Sequence, residues 1–108
     1  ILAELYDHCI EVFKRKNSGY ADTEVSKDVL RNFRDGARKH GITMHQYANI
    51  MRGKHETHWD TFVSGGKIAD KPFRILVDRI NYTLLEYLIG CDQEKWEHAE
   101  VIKDDESR

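Results

Sequence analysis

A chain of 108 residues is the size of one domain, and 40% apolar residues supply one modest core. A formal net charge of −2, with both signs interspersed, argues against a general polyanion binder. No apolar run approaches the ~18 residues of a membrane span, and a single proline without alternating apolar runs argues against an all-β fold.

The pattern predicts an all-α domain of about four helices over residues 1–90, followed by a polar tail over 91–108. The first helix is expected over residues 2–16, where Leu2, Leu5, Cys9, Val12 and Phe13 recur at spacings of three and four. Its basic end, Lys14-Arg15-Lys16, suits the negative pole of the helix dipole, and Asn17-Ser18-Gly19 stops it. A second helix is expected over 27–40, capped by Ser26 and ended by Gly41, with Val29, Leu30, Phe33 and Ala37 on its apolar face. A third starts at Thr43, where Thr43-x-x-Gln46 reads as a capping box, and breaks at Ser64-Gly65-Gly66.

The fourth helix is the most strongly patterned. Asp70 is its expected cap, and Pro72 sits in the first turn, where its missing N–H costs nothing. Phe73, Leu76, Val77, Ile80, Leu84, Tyr87 and Leu88 form one wide stripe, while Ile75, Tyr82 and Ile89 lie nearly opposite. A helix apolar on two faces is buried on two faces. A homodimer or higher homo-oligomer through this helix is therefore expected. In the tail, Trp96, Ala99 and Val101 suggest a short amphipathic helix, and residues 103–108 read as disordered. Cys9 and Cys91 show no CxxC spacing and are expected as free thiols of a reducing cytosol, with a disulfide as the alternative. A cytoplasmic location follows, the host cytoplasm if the chain is phage-encoded.

Three groups of residues offer chemistry. Lys14-Arg15-Lys16-Asn17-x-x-Tyr20 sets three cations, an amide and a phenol at a helix–loop junction, suited to phosphates and a base or sugar. The bland reading is a solvated basic helix end. Asp78-x-x-Asn81 places two oxygen-bearing side chains on one side of a helix. They suit either a hard cation such as Mg²⁺ or a buried polar pair, with Arg74 or Lys54 as partner of Asp78. His55-Glu56-Thr57-His58 is not the HExxH zinc signature, because its second histidine comes one residue early. Zinc is not expected, and His58 is expected on the surface. No GxSxG, P-loop or GxGxxG is present.

Taken in order, Lys16-Asn17-x-x-Tyr20, Asn32-Phe33, Met51-x-x-Lys54-His55 and Asp78-x-x-Asn81-Tyr82 resemble small phage and prophage proteins related to the MazG-like, all-α nucleoside triphosphate pyrophosphatases. They are also similar to domains associated with nucleotide modification in phage genomes. The resemblance spans roughly residues 5–90. It implies a dimerising helical bundle, a pocket between helices, and Mg²⁺-dependent cleavage of a (d)NTP to monophosphate and pyrophosphate. Carried across, Lys16, Asn17 and Tyr20 lie near the nucleotide and Lys54 faces the phosphates. Asp78 is the retained metal ligand, and Asn81 stands where the pattern often has an amide.

The chain departs from the pattern at two places. The third helix has no ExxE, leaving Glu56 as the only acidic candidate for the metal there, and Arg74 stands one turn before Asp78. Four readings remain open: an active nucleoside triphosphate pyrophosphohydrolase; a degenerate nucleotide-binding relative using Lys16, Tyr20, Arg34 and Lys54; a non-enzymatic protein-interaction or regulatory module; and a helix-turn-helix, which the acids of the third helix disfavour. Nucleic acid and membrane are not expected partners.

Overall fold

In a computed structural model of the chain, the described residues are 1–18 and 29–108, without the side chains of residues 16–18 and 98. They form five α-helices and no strand: α1 (Leu2–Ser18), α2 (Arg31–His40), α3 (Met44–Val63), α4 (Pro72–Gln93) and α5 (His98–Glu106). None of them is long and apolar enough to cross a membrane.

The helix ends follow local chemistry. α1 runs two residues past its expected stop. α2 begins later than expected, at Arg31, with Leu30 at the cap position and no side-chain cap; the expected cap, Ser26, lies outside the described residues. Gly41 ends α2 in the left-handed conformation (φ 65°), and the N–H of Ile42 closes on the Ala37 carbonyl at 3.0 Å. The α3 capping box is formed in both directions: Thr43 Oγ1 accepts the Gln46 N–H at 3.0 Å, and Gln46 Oε1 accepts the Thr43 N–H at 2.9 Å. Gly65, at φ 83°, turns the chain after α3. At α4 the cap position belongs to Lys71, not Asp70; Asp70 instead accepts the Lys71 N–H at 2.8 Å and presents Pro72 to the first turn.

The core sits where α2, α3 and α4 meet. Leu30, Phe33 and Ala37 pack against Met44, Ala48, Leu85 and Ile89. The Phe33 ring meets Tyr47 and Tyr82 edge to face, with centroids 6.0 and 6.4 Å apart. α3 and α4 make the most extensive contact, α2 adds to α3, and α1 crosses α4. Cys9 and Val12 are buried, and both cysteines are free thiols.

The side of α4 that is fully buried is the narrow one, with Ile75 and Ile89 at 2% and 0% exposure, while Phe73 on the wide stripe is 59% exposed. Of the wide stripe, Phe73, Leu76 and Ile80 are exposed, while Leu88 packs partly buried against the core. The tail, expected to be disordered from residue 103, instead carries α5 through Glu106. The turn before α5 is held by Lys95, which takes φ 60° and lends its ammonium to the Asp92 carbonyl at 2.8 Å.

Candidate functional site

The cavity between α2, α3 and α4 holds about 740 Å³, within the range of small-molecule sites. Gly36 opens it. The Tyr47 ring lies where a β-carbon at position 36 would stand, so α2 approaches the aromatic face of α3 directly. Tyr47 in turn stacks on His40 at the end of α2, with centroids 6.0 Å apart and planes 17° from parallel. Lys39 and His40 lie at the exposed rim.

From α4, Asp78, Asn81, Tyr82 and Leu85 reach the cavity wall. The spacing of three and four residues puts them on one side of the helix. From α3 come Met51 and His55, one turn apart. His55 Nδ1 lies 3.6 Å from Asp78 Oδ2, and its ring lies 5.1 Å from that of Tyr82. His55, from the helix that also carries Lys54, is thus an ion-pair neighbour of Asp78. Arg74 turns to Asp70 at 3.5 Å.

Asn81 is the unusual member of the wall. Its residue exposure is 5%, yet neither its amide nitrogen nor its oxygen finds a hydrogen-bond partner. An unmet buried polar group costs about 1–3 kcal/mol, and here donor and acceptor are both unmet.

The sequence-derived candidates divide. Asn32, Phe33, Met51, His55, Asp78, Asn81 and Tyr82, from three of the four motifs, all line this one cavity. Lys54 is exposed and does not line it. Arg34 points elsewhere and bonds Asp92 Oδ1 at 3.0 Å, tying α2 to the end of α4. The hydrogen bond from Gln93 is the largest influence on the Asp92 carboxyl and lowers it; burial pushes the other way, and the Arg34 guanidinium and the Lys95 ammonium add to the lowering, so that the carboxyl stays below its ordinary range. Lys16, Asn17 and Tyr20 lie outside the described residues or side chains. Tyr47, Lys39 and His40 were not singled out from sequence; a glycine inside the α2 pattern was the available signal of close packing there.

Glu56 sits 3.2 Å from Arg52 Nε, although that N–H is not aligned for a hydrogen bond, and Arg52 also grips Glu86 through two contacts of 2.8 Å. Among the described residues, no three His, Cys, Asp or Glu side chains gather where a metal ion could sit. This donor set does not fit the multi-carboxylate Mg²⁺ site that the resemblance implies.

No family model, curated protein or solved structure matches the chain.

Proposed function

We propose that the α2–α3–α4 cavity binds a nucleotide, and that the protein is a nucleotide-binding relative of the MazG-like group rather than a metal-dependent pyrophosphatase. The observation that carries this reading is Asn81, which lines the cavity while the buried nitrogen and oxygen of its amide find no hydrogen-bond partner. A carboxamide sets a donor beside an acceptor, the arrangement that the edge of a nucleobase complements. Phe33, Tyr47, His55 and Tyr82 surround it with ring surface against which a planar base packs. The convergence of three motifs of the resemblance on one cavity supports the same reading. Glu56, held beside Arg52, weighs against turnover.

Isothermal titration with the four common dNTPs, with and without Mg²⁺, coupled to a pyrophosphate-release assay, tests the proposal. Binding without release is expected, with Asn81→Ala weakening it by roughly tenfold or more. Mg²⁺-dependent release would restore the catalytic reading. No binding under either condition would leave an interaction module as the better account.

A homodimer through α4 belongs to the same proposal. Phe73, Leu76 and Ile80 form an open stripe on the face of α4 away from the core, and Leu2, Leu5 and Tyr6 of α1 are exposed as well.

A further inference from the structure

A second cavity, of about 530 Å³, lies between α1 and the first turns of α4. Its wall carries three basic side chains, His8 and Arg15 from α1 and Arg74 from α4, with Phe73 beside them. Two acids share it. Asp70 is loosely paired to Arg74 at 3.5 Å, with both side chains at least half exposed. Asp78 is the other, and it also lines the Asn81 cavity.

Asp78 therefore stands on the boundary between an aromatic cavity with an unmet amide and a cavity bearing two guanidinium groups. Along α4 the order is Asn81, Asp78, Arg74. Seven residues of helix cover about 10 Å, comparable to an extended nucleotide from base edge to outer phosphates. The chemistry has the same order as the molecule: an amide for the base, a carboxylate for the sugar, guanidinium groups for the phosphates.

We propose that the two cavities are consecutive compartments of one nucleotide site, with the di- or triphosphate held by Arg15 and Arg74 and the sugar hydroxyl donated to Asp78. This rests on the assignment of the base to Asn81. The 3.5 Å Arg74–Asp70 contact is longer than the 2.7–2.9 Å of a well-formed charged hydrogen bond, typical of guanidinium on phosphate. A phosphate thus offers Arg74 a better partner than the one it has. Carboxylates accept sugar hydroxyls in other nucleotide sites, which gives Asp78 a role that needs no metal. Arg74, which would oppose a cation at this place, favours an anion.

The test is calorimetric titration, at low salt and without divalent cations. The probes are each of the four common deoxynucleosides, its 5′-mono-, di- and triphosphate, and inorganic tripolyphosphate. Affinity is expected to rise with phosphate number, the triphosphate binding about tenfold or more tighter than the nucleoside. Added salt should erode that gain. Arg74→Ala and Arg15→Ala should each remove most of it while leaving nucleoside affinity within about twofold. Arg74→Lys should recover part of it, and circular dichroism checks that each variant folds. Equal affinity for nucleoside and triphosphate, or a gain indifferent to both arginines, would overturn the proposal while the base assignment stands. Tripolyphosphate binding that depends on Arg74, with no nucleoside bound, would instead remove the base assignment and keep the anion compartment. No binding of any probe would remove both.

Discussion

Consider Asn81→Leu. In the free protein the Asn81 amide is 5% exposed and has neither donor nor acceptor satisfied, which costs about 1–3 kcal/mol. Leucine removes that cost and places apolar surface beside Phe33, Tyr82 and Leu85, while the adjoining cavity leaves room for its branch. A fully buried leucine gains about 1.5–3 kcal/mol, but a side chain on a cavity wall realises only part of that. The net expectation is a stabilisation of about 1–3 kcal/mol. For a domain of this size, each kcal/mol moves the melting temperature by roughly 4–8 °C. Thermal unfolding followed by circular dichroism should therefore show Asn81→Leu melting at least about 5 °C above the parent protein. The nucleotide-induced rise in melting temperature should vanish in the same variant. A lower melting temperature without ligand would refute the reasoning, because it would mean that the amide is already satisfied in the free protein and is held for structure.

Other substitutions probe the frame around the site. Gly36→Ala, which helix propensity alone would make favourable by about 1 kcal/mol, should destabilise in urea titration by about 1–3 kcal/mol, because the new methyl meets the Tyr47 ring; a stabilised variant would show that the ring moves freely. Arg52→Ala should cost about 1–3 kcal/mol in the same assay, since it strips the paired bonds from Glu86 and leaves that carboxylate half-buried; an effect below about 0.5 kcal/mol would mark the pair as solvent-screened. Asp92→Asn should lower stability at neutral pH, and the deficit should close on acidification. The folded carboxyl titrates below the ordinary carboxylate range, so its contribution is present above the unfolded value and is lost as pH falls through the lower folded value; a deficit that persists at pH 2 would contradict the linkage. Ile80→Glu should yield a monomer of unchanged helicity in analytical ultracentrifugation, and a dimer that survives it would move the interface off the open stripe of α4.

Local punctuation is the most legible part of the sequence, the Asp70 cap displaced to Lys71 being an exception. The Thr43–Gln46 capping box, the Gly41 stop and Pro72 in the first turn of α4 each depend on a few neighbouring residues, and each is formed as expected. Packing is less legible. One residue of phase turns a helical side chain by ~100°, which is why the side of α4 that meets the core could not be chosen between two apolar stripes. Sequence offers Asp78 the cations Arg74 and Lys54, whereas His55, next to Lys54 in sequence but on a different side of α3, lies 3.6 Å from it. Arg34 looked available for a phosphate because Asp92, 58 residues away, cannot be placed beside it from sequence. The Arg52–Glu56 contact was visible as an i,i+4 pair and would have removed Glu56 from the metal candidates. Asn81 could be nominated from its motif, but its unmet hydrogen bonds are a property of three helices together.

The indole of Trp96 occupies the space that any side chain at position 90 would need, near the Tyr87 ring, and the Glu94 N–H closes on the Gly90 carbonyl at 2.8 Å. Neither position is then free to drift alone. A larger residue at 90 evicts the ring, and a smaller residue at 96 leaves a hole that a larger residue at 90 could fill. Among descendants of a common ancestor, the two positions should change as a pair, glycine with tryptophan or a larger residue with a smaller one. Their covariation would record the docking of the tail as a heritable constraint.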